Sequence, residues 1–277
     1  MLRLSVEDVM RYIENEVAPL RYALPGDRNG LEFGSAENEV DNIVVCWSPT
    51  LDVIKKAVKL NANLIVAHEW LIYEYLGNKW ITKELPKNEK KTNMERISLL
   101  TKHGIAVLKY HSNWDMAPGG VADSFGKYLG FKNLVYSAGL ARVYREAPMK
   151  LSELAELVRD RLEIPCLRVI GDLNREFSYI GTAPGGLGQI FTYTDEFANT
   201  KTEVVIFGET LAYSEIYTSE SGYLCIITSH EASEMPGMKK LTSLLQTRFP
   251  RIKVTFVRSS FSKCLSATAM STLGINL

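Results

Sequence analysis

Three short stretches of the sequence end on histidine and carboxylate side chains, which can together hold Zn²⁺, Mn²⁺ or Fe²⁺ in proteins. The stretches are NANLIVAHE (61–69), IAVLKYHSNWD (105–115) and YLCIITSHEASE (223–234). Their candidate ligands are His68 with Glu69, His111 with Asp115, and His230 with Glu234. Three of the four histidines in the chain therefore occur where an apolar, strand-like run ends.

Each of these pairs also has an ordinary structural explanation. Asp115 could cap its own turn, and Glu234 could be an acid placed before a helix, where the helix dipole favours it. His68 and Glu69 could form a hydrogen-bonded pair at the end of a strand. Three such endings in one chain fit chance poorly. In open α/β sheets, ligands bind at the carboxyl ends of the strands, so the pattern predicts one metal site.

The surrounding turn residues predict how these side chains are presented. Pro118 and the glycines after it favour a loop, not a helix, over 111–115. Pro236, followed by glycine, predicts that the last helix begins there, which leaves His230 in a loop. Glu231 would then be the residue that is not a ligand, and if its side chain turns inwards it could serve as a general base or orient a histidine. His103, at a predicted helix end beside a glycine, is assigned no function.

The elements that must position these residues alternate between helix and strand. Over the first half the sequence predicts helices at 5–18, 49–60, 93–104 and from the Pro-Gly-Gly turn to about residue 128, strands at 42–48, 64–67 and 105–110, and loops at 21–41 and 70–93. Strand, helix and strand over 42–67 form a βαβ unit, so those strands should be parallel. The role of the 70–93 loop is left open.

The second half predicts a further lobe. An amphipathic helix covers 151–163, and the later strands are 203–209, 223–228 and 252–257, with helices at 211–221 and 236–249 between them. We expect a layered α/β sandwich with mixed, largely parallel sheets in two lobes, 1–132 and 133–277. The final strand is a candidate to pack back on the first lobe.

Other motifs are absent or weak. The turn PGGLGQ (184–189) lacks the Lys-Ser/Thr of a Walker loop and a strand–GxGxxG–helix context, so it is interpreted as a plain turn. No GxSxG elbow occurs, and the cysteines carry no nucleophile signature.

Composition narrows the class of protein. The chain has 277 residues, is 46% hydrophobic and carries 32 basic and 32 acidic side chains, which fits a globular protein with a sizeable core. This neutral balance argues against nucleic-acid binding by bulk charge, although it leaves a local basic patch open. The four cysteines form no CxxC pair, and we interpret them as thiols in a reducing compartment. No signal peptide or membrane helix is evident, so the expected location is cytoplasmic.

The three metal-capable motifs together resemble the NIF-three-like dinuclear metal-centre family, whose members are often named GTP cyclohydrolase I type 2 homologues. That family typically has a strand ending in His-His-Pro, a His-Thr-Asn-x-Asp segment leading into Pro-Gly-Gly-Val, and a late His-x-x-x-Glu followed by Pro-Gly. Here NLIVAHEWLIY, KYHSNWDMAPGGVAD and SHEASEMPG stand in the same order. The resemblance is most secure over 42–130 and 203–257.

The resemblance implies a role for each matching residue. His68 and His230 would hold one ion, Asp115 would hold the other, and Glu234 would bridge both. His111 would lie at the edge of the site, either as a ligand or as a residue that supports one.

This chain departs from the family pattern at two adjacent positions. Glu69 stands where the family usually has its second histidine, and Trp70 replaces the usual proline. Because a carboxylate is a harder ligand than imidazole, we expect a preference for Mn or Fe, or a half-filled site.

The resemblance also implies a homohexamer and two divalent ions per chain, Zn, Mn or Fe. The leading hypothesis is a two-metal hydrolase acting on a nucleotide or another phosphate-bearing small molecule. The alternative is a non-catalytic, metal-stabilised oligomer with a binding or regulatory role. A nucleic-acid-binding ring is a third and weaker hypothesis, which the neutral charge disfavours.

Overall fold

The computed structural model describes residues 3–72, 87–190 and 192–259, which form eleven strands and eight α-helices. The strands are β1 (Gly30–Phe33), β2 (Asn42–Cys46), β3 (Leu64–Ala67), β4 (Ala106–Lys109), β5 (Leu134–Ala138), β6 (Ala141–Lys150), β7 (Arg168–Ile170), β8 (Glu176–Ala183), β9 (Val204–Phe207), β10 (Leu224–Ile227) and β11 (Lys253–Phe256). The helices are α1 (Val6–Tyr12), α2 (Leu51–Lys59), α3 (Lys87–His103), α4 (Ser112–Met116), α5 (Val121–Leu129), α6 (Leu151–Leu162), α7 (Ala212–Glu220) and α8 (His230–Arg248). π-helical turns cover Ile13–Val17 and Thr192–Phe197.

The first sheet has the order β1-β4-β3-β2-β11. β4, β3, β2 and β11 are parallel, and only β1 runs antiparallel to its neighbour. Cys46 pairs with Ala67, which pairs in turn with Lys109, so β2, β3 and β4 end level with one another. The residues that follow these strands are therefore brought to one edge of the sheet.

The second sheet has the order β5-β6-β8-β9-β10-β7, with β8, β9 and β10 parallel. Phe207 at the end of β9 pairs with Ala183 on one side and with Ile227 on the other. The predicted layered α/β fold is confirmed, and both sheets are mixed. The division into lobes at residue 132 stays a prediction.

Two elements from the end of the described chain connect the sheets. β11 hydrogen-bonds to β2, so it completes the first sheet. Helix α8 contributes Met238 and Leu241 to a hydrophobic core on one face of the first sheet, and it contributes Ala232 to a core on one face of the second sheet. The first turns of α8 thus lie between the two sheets, at the height where the parallel strands end.

The apolar strands form where both faces of the sheet are covered. All four residues of β3 are buried: Leu64 and Val66 pack in one hydrophobic core, Ile65 and Ala67 in another. A continuous apolar run is typical of a parallel strand buried in this way. The predicted capping box of the first helix is also present, since Ser5 and Asp8 each accept a hydrogen bond from the other's backbone amide.

Two local predictions near the candidate ligands are wrong. Residues 112–116 form helix α4, not a loop. Pro118 favours an extended backbone at Ala117, so it ends the helix at Met116 but does not prevent the helix before it. Helix α8 begins at His230, with Pro236 inside it. Ser229 caps its first turn by accepting the Ala232 amide, 3.1 Å away, and burial of 231–238 offsets the cost of the internal proline.

Three further predictions need correction. Residues 21–41 are not entirely a loop, because they contain β1, which pairs with β4. The strand is too short to show the alternation of polar and apolar residues that would have predicted it. Helix α3 begins at Lys87, so Asn93 lies inside it and is not its cap. The part of the predicted 70–93 loop at 73–86 lies outside the described residues. His103 is the last residue of α3, as expected.

Two cysteines agree with the thiol interpretation and one does not. Cys46 and Cys225 are buried thiols outside any disulfide. Cys166 is disulfide-bonded, so the interpretation is wrong there. Within the described part of the chain, no helix has the length and apolar character needed to cross a membrane.

Candidate metal centre

The six side chains predicted as metal ligands converge on one site. They form three overlapping groups in which the ligand atoms lie within 4.8 Å of one another. The groups are His68–Asp115–Glu234, Glu69–His230–Glu234 and His68–Glu69–His111. Residues from two sheets and from two helices therefore meet at a cluster with the composition of a metal centre.

Glu234 is shared between the first two groups. Its Oε2 atom lies 3.3 Å from His68 Nε2, and its Oε1 atom lies 3.2 Å from His230 Nε2. Glu234 thus lies between two candidate groups, and its role as a bridging ligand stays a prediction. The grouping of the other ligands differs from the implied one: His68 lies with Asp115, 3.3 Å away, and His230 lies with Glu69.

His68 is held in a fixed orientation at the end of β3. Its Nδ1 atom lies 2.9 Å from the carbonyl oxygen of Tyr110, which can only accept, so Nδ1 carries the proton. The Nε2 atom then faces carboxylate oxygens of Asp115 and Glu234, and its lone pair is free for a cation whenever a second proton is not bound there. In metal sites, a hydrogen bond of this kind from the ring nitrogen that does not bind the metal fixes the orientation of the histidine.

The chemistry of this group fits a cation. His68 and Asp115 are 0% and 5% exposed, and neither His68 Nε2 nor Asp115 Oδ1 has a hydrogen-bond partner in the described structure. Buried polar atoms are nearly always paired, so two adjacent unpaired acceptors require an explanation. A divalent cation between them would bind both atoms and bring two positive charges to the carboxylates of Asp115 and Glu234, whereas a shared proton would bring one.

The other two histidines are oriented in the same way. His230 Nδ1 lies 3.0 Å from Glu209 Oε1, and its Nε2 lies 3.7 Å from Glu69. His111 Nδ1 lies 3.1 Å from Asp27 Oδ2, and its Nε2 lies 3.9 Å from Glu69. Each imidazole thus has Nδ1 held by an oxygen and Nε2 directed into the cluster.

The charges of the cluster depend strongly on one another. Burial lowers the pKa of His68, but Asp115 and Glu234 outweigh it and hold that pKa well above the usual value. Burial also lowers the pKa of His230, but Glu234 and Glu69 outweigh this effect and raise that pKa to about 9. Burial raises the pKa of Glu234, whereas the two histidines hold it well below its ordinary range. The carboxylates therefore favour positive charge at the site, either on the histidines or on a bound cation.

Glu69 takes the place of the family's second histidine without leaving the site. Its backbone amide donates to the carbonyl oxygen of Trp47 at 2.8 Å, which fixes the start of the loop after β3. Its carboxylate lies between His111 and His230 and is partly exposed. The substitution changes the type of ligand and keeps the position filled.

Glu231 does not turn towards the cluster. Its Oε1 atom lies 3.4 Å from Arg258 Nε, and the residue belongs to none of the three groups. In a helix, residues four apart share a face, as His230 and Glu234 do, whereas the next residue is rotated away. The predicted catalytic role of Glu231 depended on a loop here, and the helix gives that role no support.

Sequence reasoning missed several residues that build the site. Trp47 directly follows β2 and Glu209 is the second residue after β9, so the rule that pointed to the histidines could also have found them. Asp27 accepts hydrogen bonds from Lys109 Nζ at 3.0 Å and from the Ser112 amide at 2.9 Å, and it holds His111. Asp27 lies in an irregular segment and carries no sequence signal that would single it out.

The glycine turn at 184–189 is part of the site. Gly185 has a φ of +74°, and a Cβ there would lie within 3.0 Å of Glu234 Oε1. Its amide donates to Ser233 Oγ at 2.9 Å, which joins the turn to helix α8. The interpretation as a plain turn therefore missed a close approach of backbone to the shared carboxylate, one that only glycine permits.

A cavity of about 400 Å³ opens beside His230. Its walls include Trp47, Leu167, Glu209 and Thr228. The His68 and Asp115 side chains are buried and do not line it. A small molecule in this cavity would reach the cluster from the His230 side.

Known proteins resemble this chain over most of its length. The family model described as Duf34/NIF3 (NGG1p interacting factor 3) matches residues 4–264. A protein of Clostridium perfringens named "GTP cyclohydrolase 1 type 2 homolog" is 28% identical over 272 residues, which cover 94% of this chain and 98% of that protein.

Solved structures of low sequence identity share the fold. The Bacillus cereus protein related to NIF3 superposes with a TM-score of 0.81 at 16% identity and covers 96% of this chain and 100% of its own. A Staphylococcus aureus protein, SA1388, superposes with a TM-score of 0.79 at 19% identity and covers 95% of this chain and 100% of its own. With the match to the family model over most of its length, this chain belongs to the Duf34/NIF3 family.

Proposed function

We propose that the protein is a divalent-metal-dependent hydrolase. One observation carries the proposal: the buried, unpaired atoms His68 Nε2 and Asp115 Oδ1 face each other beside a carboxylate that a second group shares. Two groups joined by one carboxylate form the arrangement that two-metal hydrolases use.

The donor set suits a transition metal. Three carboxylates and three imidazoles fit Zn²⁺, Mn²⁺ and Fe²⁺. Compared with a histidine at position 69, the carboxylate of Glu69 shifts the preference of the site towards Mn²⁺ or Fe²⁺. We infer two ions per chain, one held by His68, Asp115 and Glu234, the other by Glu69, His230 and Glu234. Divalent ions in such a centre supply Lewis acidity, which polarises a carbonyl or phosphoryl oxygen and activates water.

The protein's own groups would prepare the site for that chemistry. Glu209 forms a hydrogen bond with His230 Nδ1 and also lines the cavity. It would therefore orient a metal-binding histidine and contact a bound substrate. The glycine turn covers one side of Glu234 and keeps it out of water. The cavity volume suits a small molecule, which enters beside His230.

The substrate class is proposed from the names of relatives. Several relatives carry the name "GTP cyclohydrolase 1 type 2 homolog", so a nucleotide or another phosphate-bearing small molecule is the first class to screen. A homohexameric assembly is proposed from the resemblance alone. Sedimentation of the purified protein would test it, with a mass six times the 31.1 kDa of one chain expected.

The test combines metal content with turnover. Elemental analysis after reconstitution with Mn²⁺ should find about two ions per chain, and the loaded protein should hydrolyse a member of a nucleotide and phosphoester panel. Glu234→Gln should lose metal and turnover together. Glu231→Gln is the matched control for metal content, because Glu231 lies on the same helix and is buried but faces Arg258. A wild-type protein that binds no metal would refute the proposal.

One observation favours the alternative function for part of the site. The His68 group is almost completely buried, as expected for an ion that stabilises a fold and has no open position for a substrate. In a binding or regulatory protein, removal of metal would lower the melting temperature or dissociate the oligomer while no substrate in the panel turned over. These two outcomes separate the alternative from the hydrolase.

A further inference from the structure

Trp47 contacts the candidate centre from two directions. Its backbone carbonyl oxygen accepts the amide of His68 at 3.0 Å and that of Glu69 at 2.8 Å. Its indole Nε1 donates to Glu234 Oε2 at 2.6 Å. One residue at the end of β2 therefore holds both the loop after β3 and the shared carboxylate on helix α8.

The indole hydrogen bond fixes how Glu234 divides its two oxygens. Oε1 faces His230 and Oε2 faces His68, at nearly equal distances of 3.2 and 3.3 Å. The terminal torsion of a glutamate has a broad energy minimum, so the carboxylate would otherwise rotate easily. A short hydrogen bond to a charged oxygen is strong, and it opposes that rotation. The turn at Gly185 limits movement on the Oε1 side.

We propose that Trp47 is the positioning residue that keeps Glu234 a bridging carboxylate, with one oxygen presented to each metal position. This inference depends on the metal centre of the proposed function. Without the indole N–H, Glu234 can turn both oxygens to one ion, and the second position then loses a ligand. The binding of one ion, more than the fold, should depend on this hydrogen bond.

The aromatic ring of Trp47 has a separate role that the test must hold constant. The ring lies 5.4 Å from the ring of His230 and forms a wall of the 400 Å³ cavity. Trp47→Phe keeps an aromatic wall and removes the N–H donor. Trp47→Leu removes both the ring and the donor, so the difference between the variants measures packing.

The experiment titrates Mn²⁺ alone into the metal-free full-length protein and its two variants by calorimetry, and records electron paramagnetic resonance spectra of the loaded forms. Wild type should bind two ions whose spins are coupled through the shared carboxylate. Trp47→Phe should bind one ion about 10- to 100-fold more weakly, the usual effect of losing a group that orients a metal ligand, and the coupled spectrum should be replaced by that of isolated Mn²⁺. Only Trp47→Leu should also lower the melting temperature of the metal-free protein substantially.

Three results would overturn the inference. Wild-type affinities and spin coupling in Trp47→Phe would show that the hydrogen bond does not position Glu234. Equal loss of both ions in Trp47→Phe, together with a melting temperature as low as that of Trp47→Leu, would show a merely structural residue. Fewer than two ions in wild type would refute the two-metal site itself, and this outcome is distinguishable because it appears before any substitution is made.

Discussion

Gly185→Ala would place a methyl group against the shared carboxylate. The new Cβ would lie within 3.0 Å of Glu234 Oε1, a separation that real Cβ atoms essentially never show. Relief requires the oxygen or the turn to move by about 1 Å, several times the ~0.2 Å within which metal–ligand distances are normally held. Because both groups use Glu234, we expect metal affinity to fall by about 100-fold, equivalent to ~2.7 kcal/mol.

The substitution also strains the backbone, and that cost can be measured separately. Gly222 has the same φ of +74°, with nothing within 4 Å of its would-be Cβ, so Gly222→Ala carries the conformational strain without the steric clash. Both variants should lose about 1–2 kcal/mol of unfolding free energy from that strain. Urea unfolding of the metal-free proteins and calorimetric Mn²⁺ titration separate the two effects. Wild-type metal affinity in Gly185→Ala would refute the close approach of the turn to Glu234.

Three further predictions concern charge. Glu69→His should shift metal preference from Mn²⁺ towards Zn²⁺, measured by loading from an equimolar mixture, and unchanged selectivity would contradict the role given to that carboxylate. Asp27→Asn should cost about 3–5 kcal/mol in urea unfolding, because it leaves the fully buried ammonium of Lys109 without its carboxylate, and a loss below about 1 kcal/mol would contradict that pairing. Burial raises the pKa of Asp123, but an amide N–H and Arg142 outweigh it and lower that pKa below its ordinary value. Asp123 should therefore stabilise the fold above the unfolded pKa of about 3.9, a contribution lost as pH falls through the lower folded pKa, and Asp123→Asn should flatten this acid limb of the stability curve.

Sequence reasoning brought the candidate ligands together because topology fixes where strands end. His68 and His111 follow parallel strands whose last residues are in register, so the βαβ prediction already implied that they lie at one edge. His230 follows β10 in a different sheet. The three strand endings predicted one shared site, but nothing in the local pattern showed that helix α8 would bring this second sheet edge to the first.

The parts that the sequence did not predict depend on contacts between distant segments. Asp27 joins His111 across 84 positions of the chain, and Trp47 reaches Glu234 across 187. The start of helix α8 was misplaced because Pro236 is a strong local signal, which the Ser229 cap and the burial of the first two turns outweigh. Local propensity fails where tertiary packing contributes more free energy than the local preference.

The glutamate at position 69 changes the chemistry more than the architecture. The carboxylates of Glu69, Asp115 and Glu234 bring three negative charges to a centre where two divalent ions would carry four positive ones. With histidine at position 69 only two negative charges would remain, and the ions would attract electrons from a substrate more strongly. The same side chain is partly exposed and lies 3.7 Å from His230, on the group that the cavity reaches. In the proposed two-metal site, the substitution would therefore reduce the Lewis acidity of the ion held by Glu69, His230 and Glu234, which is the ion nearer the cavity. For this reason an activity of family members with two histidines should not be assumed for this chain from the shared fold alone.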